Sequence, residues 1–224
     1  MTDIETSLPY TKDNGERAYI YLRPRTAADH QTDTNMSTVR IKTTVRDGRE
    51  KSLSLDGHSF QMADHPTALS TEDFYHNTKK IEDVYYKEME QLIKEKTGAA
   101  KVVVFNHQVR NQAKANASRD VGPYAASIHS DASAYQAESL FRSAISGQLG
   151  NAPKESMEPF RKGRFVFMNA WRNISEQPVQ NHNLAVCDAT SLVGGADDAV
   201  PYDVYQPLFK SVGMFLAPRH ALFH

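Results

Sequence analysis

The sequence has little cysteine, tryptophan or net charge. Its 224 residues include one cysteine and one tryptophan, and the formal net charge is −1. The single thiol, Cys187, cannot form an internal disulfide, which fits a reducing compartment. Without an excess of positive charge, the composition does not favour binding to nucleic acid or to an anionic membrane surface. No uninterrupted apolar run approaches the roughly 20 residues that cross a bilayer. We therefore expect a soluble, cytoplasmic protein without nucleic-acid or membrane partners.

The N-terminal residues are polar and acidic, and they lack the basic start and apolar core of a signal peptide. Apolar residues make up 40% of the sequence and charged residues 24%, which is typical of a globular protein. The length suits one domain with a buried core, and neither an internal repeat nor a long linker divides it. We predict an N-terminal arm over residues 1–37, with a strand at residues 18–22, and one domain over residues 38–224.

The clearest predicted element is a helix over residues 71–97. Ser70 or Thr71 can cap its start, and Gly98 is a natural stop at its end. Apolar side chains recur at helical spacing on one stripe of this segment, at Ile81, Val84, Tyr85, Met89, Leu92 and Ile93. A second helix is predicted over residues 135–149.

Several segments have the pattern of β-strands. Residues 39–60 alternate on either side of Asp47-Gly48, a turn pair that predicts a hairpin. Residues 102–105 are short and β-branched, which favours a buried strand. Residues 128–131 resemble a strand end, and residues 163–169 and 184–186 resemble further strands. Helices interspersed with strands predict an α+β domain.

His129 and Asp131 are the first candidates for chemistry. Residues two apart on a strand point to the same side, so the imidazole nitrogen and the carboxylate oxygen can meet one metal ion. Non-haem iron oxygenases use two histidines and one carboxylate in this way, leaving positions open for oxygen and co-substrate. Taken alone, a His-x-Asp motif is weak evidence for a metal site, and composition favours an ordinary surface pair.

Trp171 and Arg172 follow the predicted strand at residues 163–169. The arginine could bind a carboxylate through two parallel hydrogen bonds, whereas the structural interpretation is an aromatic core residue beside a solvated arginine. Cys187 with His182 would suit a thiol enzyme, but we interpret Cys187 as a small apolar residue. The remaining histidines do not have the spacing of a zinc site.

These motifs occur together in an order that resembles the fungal hydroxylase/desaturase family, which includes the gibberellin desaturase and relatives of the cephalosporin 7α-methoxylase component. The resemblance runs from about Val39 to Pro218. It is carried by the segments SLDGHSFQMADHPTALSTEDF, IEDVYYKEMEQLIKEKTGAAKVVVFNHQVR, SIHSDAS, GRFVFMNAWRNI and PVQNHNLAVCDATSL.

The resemblance implies a double-stranded β-helix (jelly-roll) core with flanking helices that binds Fe(II) and 2-oxoglutarate. It implies hydroxylation or desaturation of a small-molecule natural product, with 2-oxoglutarate oxidised to succinate. His129 and Asp131 match the first two metal ligands of the family, and Trp171 and Arg172 match a motif near its pocket. We assign the first pair to the metal and the second pair to cofactor binding, and we assign no residue a direct catalytic role.

The family pattern continues beyond this sequence, to a distal histidine and to an arginine that binds the far carboxylate of 2-oxoglutarate. We therefore expect the C-terminal part of the family domain to be missing. His220 or His224 could in principle replace the distal ligand, but terminal residues are usually mobile and a metal site needs rigidly held ligands. Three interpretations stay open: an oxygenase, a truncated non-catalytic relative that acts as a binding or partner subunit, and an incomplete gene product. An unclosed barrel would expose strand edges, which favours a homodimer.

Overall fold

The computed structural model describes most of the chain, and its described residues are 3–21, 34–49, 51–117, 121–125, 127–131, 141–143, 163–192, 199–205, 210–216 and 222–223. They divide into two compact units. The first unit comprises Met1–Met62, Ala125–Gln136 and Leu184–His224, and the second comprises Ala63–Tyr124 and Ala137–Asn183. Among the described residues, no helix combines the length and the apolar character needed to cross a membrane.

The first unit contains a four-stranded sheet in which the strands β1 (Ile4–Thr11), β3 (Thr38–Arg46), β9 (Leu222–Phe223) and β6 (Val186–Cys187) lie side by side in this order. Strand β3 pairs antiparallel with β1, with Tyr10 opposite Val39, and parallel with β9; β6 pairs antiparallel with β9. Alternation along β3 turns Thr43 and Val45 inward, where both are buried.

A three-stranded sheet completes the strands described in this unit. Strand β2 (Ala18–Tyr21) pairs in parallel with β7 (Ala199–Tyr205), and β7 pairs antiparallel with β8 (Lys210–Leu216). Ala18 and Tyr202, which face each other in the register, are buried together. The strand predicted at residues 18–22 is thus confirmed over residues 18–21.

The hairpin predicted over residues 39–60 is wrong. Its first half forms β3, but Asp47 caps a local turn by accepting a hydrogen bond from the Arg49 backbone N–H at 3.0 Å. The second half then contains a short helix, α1 (Leu55–His58), because the Ser54 hydroxyl accepts from the Gly57 N–H at 3.1 Å and caps it. The antiparallel partner of β3 is β1. Apolar and polar residues alternate only weakly in β1, so the sequence did not identify it as this partner.

The second unit is built on the predicted helix of residues 71–97, which is confirmed but interrupted. It consists of α2 (Thr71–His76), α3 (Thr78–Lys80), a π-helical turn (Ile81–Tyr85) and α4 (Tyr86–Thr97). Ser70 and Asp73 form a capping box at its start, and Gly98, at φ 67°, ends it.

A hydrophobic cluster packs on one side of these helices. Its buried members are Leu69, Phe74, Ile81 and Tyr86, and the partly buried Val84, Tyr85, Val104, Val109 and Ile174 pack against them. The strand predicted at residues 102–105 is wrong: this segment contributes Val104 to the cluster without pairing in a sheet. The sheet of this unit is instead the parallel pair β4 (Val109–Arg110) and β5 (Val121–Gly122).

The strand predicted at residues 163–169 is also wrong, since this segment has no strand assignment and leaves Phe165, Val166 and Met168 exposed. Of the second helix, predicted at residues 135–149, only residues 141–143 are described, and they are helical; the rest lies outside the described residues. The strand predicted at residues 184–186 appears as β6, shifted toward Cys187.

Candidate metal site and its surroundings

The segment of residues 127–131, in the first unit, presents the His-x-Asp motif. The Ile128 backbone N–H donates to the Pro9 carbonyl at 3.4 Å, which ties the segment to β1. Ser130 forms a single β-bridge. The segment is therefore held to a sheet at its start while the two side chains of the motif stay near the surface.

His129 and Asp131 meet through the atoms that a metal would join. Nε2 of His129 lies 3.1 Å from Oδ1 of Asp131. Ligand atoms about 2.1 Å from a metal ion and about 90° apart lie about 3.0 Å from each other. The separation of these two atoms therefore suits adjacent ligands of one ion.

A hydrogen bond on the other side of the ring fixes the tautomer of His129. Its Nδ1 lies 2.8 Å from the Ser127 backbone oxygen, which can only accept, so Nδ1 carries a proton. In the neutral ring Nε2 is then an acceptor, and it faces a second acceptor on Asp131. Two facing acceptors need a cation between them, either a proton that makes the ring an imidazolium or a metal ion. Metal-bound histidines commonly donate their other N–H in this way.

The site is open on the side of Asp131. The side chain of His129 is 27% exposed and that of Asp131 is 66% exposed. Burial raises the pKa of the Tyr202 phenol, and the negative charge of Asp131 raises this pKa further. The carboxylate thus lies close enough to β7 for its charge to act on a buried side chain of that strand.

In the described part of the chain, no third histidine, cysteine, aspartate or glutamate joins this pair in a metal-binding group. His220 and His224, the replacement ligands considered from the sequence, lie outside the described residues. The described donor set is thus one imidazole and one carboxylate, which are two of the three ligands of a facial triad.

Trp171 and Arg172 lie in the second unit. The Trp171 side chain is 54% exposed, so the interpretation of Trp171 as an aromatic core residue is wrong. Arg172 is partly buried: its Nε donates to the Tyr85 hydroxyl at 3.2 Å, and its Nη2 donates to the His65 carbonyl. The guanidinium also lies over the Tyr85 ring, 5.7 Å from the centroid.

Tyr85 and His65 are residues that the sequence analysis did not connect with the candidate site. Tyr85 was assigned to the apolar stripe of the helix, and its ring does pack edge-on against Phe74 at 5.0 Å. A periodic pattern reports which face of a helix is apolar, but it does not report which polar atom lies at the rim of that face. The presence of a tyrosine in the apolar stripe was the only sequence signal for a polar contact at this position.

The Cys187 thiol, which we interpreted as a small apolar side chain, lies in a turn of the first unit. Its Sγ lies 3.6 Å from the Asp188 carbonyl and 3.8 Å from the Ser191 hydroxyl. Both neighbours are neutral, and Asp188 and Ser191 belong to a turn that ends in a 3₁₀ helix (Ala189–Ser191). The thiol packs within this turn as a small side chain.

Comparison with known proteins establishes the family. The family described as the oxidoreductase/YMDC permease-like domain matches residues 8–222, nearly the whole chain. The chain belongs to this family. Its likeness to individual members agrees with the resemblance found in the sequence.

Two curated relatives of this family member are named as a fungal dioxygenase and a fungal hydroxylase/desaturase. The alpha-ketoglutarate-dependent dioxygenase tstK of Talaromyces stipitatus is 31% identical over 169 residues, which is 73% of this chain and 56% of the relative. The hydroxylase/desaturase efuI of Hormonema carpetanum is 28% identical over 201 residues, which is 84% of this chain and 63% of the relative. The predicted resemblance to fungal hydroxylase/desaturases is thereby confirmed. The chain spans little more than half the length of the first of these relatives.

Among solved structures, the iron and alpha-ketoglutarate-dependent endoperoxidase NvfI has a similar fold. The TM-score is 0.72 at 20% identity, and the match covers 99% of this chain and 78% of NvfI. A variant of the same protein gives a TM-score of 0.73 at 21% identity. The mixed α and β fold of this family member is therefore similar to the fold of NvfI.

Proposed function

We propose that this chain carries the iron-binding part of an Fe(II)/2-oxoglutarate-dependent oxygenase that hydroxylates or desaturates a small-molecule natural product in fungal secondary metabolism. The observation that carries the proposal is the pair of facing acceptors, His129 Nε2 and Asp131 Oδ1, 3.1 Å apart. The names of the fungal relatives support the reaction class and 2-oxoglutarate, and the name of NvfI supports iron.

In this proposal His129 and Asp131 bind Fe(II), and the Ser127 carbonyl holds the imidazole in the tautomer that offers Nε2. The exposed side of Asp131 leaves room for further ligands. When bound, iron and 2-oxoglutarate would activate O₂, which is the oxidant, for reaction at an unactivated carbon. The chain's own contribution is to hold two ligand atoms at the spacing that one ion requires.

The proposal assigns Arg172 and Trp171 to the binding of 2-oxoglutarate. A guanidinium suits a carboxylate because its planar fork forms two parallel hydrogen bonds. An exposed indole beside it offers a flat apolar surface for the carbon chain of the ligand. Both assignments come from the motif, and the contacts of Arg172 with Tyr85 and His65 show that its guanidinium is held in place.

The same proposal covers the domain architecture, the cellular location and the oligomeric state of the protein. We propose a jelly-roll core for residues 38–224 with an N-terminal arm over residues 1–37, supported by the likeness in fold to NvfI. We also propose a cytoplasmic location, supported by the single cysteine, and a homodimer, which light scattering coupled to gel filtration would test.

The test is an anaerobic titration of the purified chain with Fe(II) in the presence of 2-oxoglutarate. The weak visible charge-transfer band of the iron complex reports assembly, and calorimetry reports affinity for the metal. We expect saturable binding by the unaltered chain. His129→Ala and Asp131→Asn should each abolish the band, because one of the two ligand atoms is lost.

The chain offers a matched control in His76 and Glu72, another histidine–carboxylate pair with Nε2 and Oε2 3.3 Å apart. This pair lies on the exposed face of α2, and His76→Ala should leave metal binding unchanged. A folded chain that binds no Fe(II), or that loses it equally in His76→Ala, contradicts the proposed metal site. The first of these results favours the alternative, a non-catalytic relative that binds a partner or a small molecule.

A further inference from the structure

The loop between β1 and β2 contains the single Asn-Gly pair of the sequence, at Asn14 and Gly15. Two hydrogen bonds anchor the ends of this loop. The Lys12 N–H donates to a backbone carbonyl just before β3 at 2.9 Å, and the Asn35 side-chain amide donates to the Arg17 carbonyl at 3.0 Å. The residues between the two anchors are all exposed. The pair is therefore open to water while the ends of its loop are held.

An Asn-Gly pair can react with itself. The Gly15 backbone nitrogen attacks Cγ of Asn14, and ammonia leaves as a five-membered succinimide ring closes. Glycine favours this attack because it has no side chain in the way. Among the described residues, no atom outside the chain neighbours of Gly15 lies within 4 Å of the position that a Cβ would take, and its φ is 76°. A side chain there would strain the loop and crowd the nitrogen.

The side chain of Asn14 is folded toward the nitrogen that would attack it. Its Oδ1 accepts from the Glu16 backbone N–H at 3.1 Å, which closes an Asx turn over the Gly15 peptide. Negative charge develops on this same oxygen during the attack. The Glu16 N–H is therefore already placed to stabilise the tetrahedral intermediate, as the donor of an oxyanion hole does.

A base lies against the nucleophile. The Gly15 N–H donates to Oδ1 of Asp13 at 2.8 Å, and the nitrogen must lose this proton to form the new bond. A carboxylate in this position takes up the proton during the attack and returns it to the departing ammonia, which is general acid–base catalysis. Asp13 thus supplies the proton acceptor, and Glu16 supplies the donor for the developing oxyanion.

We propose that Asn14 is a self-modification site, which the folded loop converts to aspartate and isoaspartate with Asp13 as the general base. The bond from the Gly15 nitrogen to Cγ forms, the C–N bond of the side-chain amide breaks, and ammonia leaves. Water then opens the ring. Opening at Cγ restores the original backbone with an aspartate, and opening at the other carbonyl leaves isoaspartate. Water is the only co-reactant, and the reaction does not depend on the proposed iron site.

The modification changes both the charge and the backbone of the loop. Each product carries one more negative charge than asparagine, and isoaspartate adds a methylene to the main chain between two anchored ends. One of these ends is Arg17, whose side chain pairs with Asp203 at 2.8 Å. The isoaspartyl carboxylate also makes the loop a substrate for enzymes that methylate this group.

The experiment incubates the purified full chain at neutral pH in water labelled with oxygen-18 and analyses its peptides by mass spectrometry. Ring opening incorporates one labelled oxygen, which distinguishes conversion during the incubation from earlier conversion. An isoaspartyl methyltransferase with a labelled methyl donor measures the isoaspartate. We expect both products at Asn14, and we expect Asn14→Gln and Gly15→Ala to lose them.

The chain contains a matched internal control in Asn173, which also forms an exposed Asx turn. Its Oδ1 accepts from the Ser175 N–H at 3.0 Å. Its side-chain NH2 group donates to the Gln177 carbonyl at 2.8 Å, and the β-branched Ile174 follows it and crowds the nitrogen. Asn173 should therefore stay unconverted in the same samples.

Asp13→Ser separates the base from the shape of the loop. A serine hydroxyl can accept the Gly15 N–H in the same kind of turn, but it is not a base at neutral pH. Conversion at Asn14 should slow by about 10-fold. This effect is smaller than the roughly 10²–10⁴-fold contribution of a general base in an enzyme, because Asp13 is exposed. Thermal unfolding checks that this variant and Asn14→Gln, which both change exposed side chains, stay folded.

Each possible result bears directly on the site. If Asn14 stays unconverted in the folded chain, while the chain unfolded in guanidinium converts, the loop protects the amide and the proposal is overturned. If Asp13→Ser reacts at the unaltered rate, Asp13 is not the base. Equal conversion at Asn173 would also contradict the proposal, because neither the glycine nor the base would then matter.

Discussion

The Tyr86 hydroxyl lies 2.8 Å from Nδ1 of His107, and the two rings meet edge-on with their centroids 5.6 Å apart. Burial lowers the pKa of His107, partly offset by the charge of Glu82, and raises the pKa of Tyr86 to about 12, where Glu82 adds to the effect. Both groups are thus neutral near pH 7. The tyrosine hydroxyl then donates to an unprotonated Nδ1, and this bond joins the start of α4 to the segment before β4.

Acid should weaken the second unit through this bond. The pKa of His107 in the folded chain lies below its ordinary value of 6.5, so the unfolded chain takes up the proton first. The contribution of His107 to the free energy of unfolding is therefore complete above pH 6.5 and is lost as the pH falls through the lowered pKa. Urea unfolding from pH 8 to pH 5 should show this loss, and His107→Gln should reduce it. An unchanged pH dependence in His107→Gln would show that other groups cause the loss.

Alkali should act on the partner of this histidine. The folded pKa of Tyr86, about 12, exceeds its ordinary value of 10.0, so ionisation favours the unfolded chain. The contribution is complete below pH 10 and is lost as the pH rises toward 12, up to roughly 3 kcal/mol for a shift of this size. Tyrosinate absorbance at 295 nm, compared with that of Tyr86→Phe, should show one late titration step. Because burial also raises the pKa values of Tyr10 and Tyr202, the step of Tyr86 is identified by difference, and identical titration curves for the unaltered chain and Tyr86→Phe would contradict the assignment.

The capping box at α2 should contribute measurably to stability. The Ser70 hydroxyl accepts from the Asp73 N–H at 3.2 Å, and the Asp73 carboxylate accepts from the Ser70 N–H at 2.9 Å. A hydrogen bond from Lys80, with the bonds from Ser70, lowers the pKa of Asp73 to about 2. We expect Ser70→Ala to cost about 1 kcal/mol in chemical denaturation. Asp83→Asn, which breaks the exposed pair of Asp83 with Lys79, is the control and should change stability far less.

The pair Arg17–Asp203 should stabilise the first unit. Nη2 of Arg17 lies 2.8 Å from Oδ1 of Asp203, whose side chain is 10% exposed, while that of Arg17 is 51% exposed. Arg17→Gln removes the cation beside a buried carboxylate and should cost about 1 kcal/mol, a value reduced by the exposure of the arginine. Arg40→Gln, which loses an exposed bond to the Ser7 carbonyl, is the comparison. Equal losses in the two variants would show that the burial of Asp203 does not matter.

Local signals made the helical part of the second unit predictable. Ser70, Gly98 and the apolar stripe between them act within a few residues, and a capping box or a left-handed glycine forms in the same way in many contexts. The sequence did not reveal the break at Asn77 or the π-helical turn that follows it. Both depend on what packs against the helix, including Val104 and Ile174, which lie far along the chain.

The strand assignments failed where the partner was distant. A period of two identifies a strand face in β3, but the Asp-Gly pair after it suggested the wrong neighbour, and β1 was the partner.

For the candidate site, the His-x-Asp spacing predicted two side chains directed to one side, and His129 and Asp131 do meet. The bond to the Ser127 carbonyl could not be predicted, because the backbone conformation that permits it is not encoded in residue types.

The parallel pairing of β2 with β7 has a consequence for the order of assembly. Arg17, just before β2, contacts Asp203 across 186 positions of sequence, whereas α2, α3 and α4 lie within one short stretch. Closing so long a loop costs conformational entropy before any contact repays it, and folding rates fall as contacts become less local. During synthesis, the helical stretch can therefore form while β2 still waits for β7. The unpaired edge of β2 in this interval is where a chaperone, or misassociation with another copy, would act first.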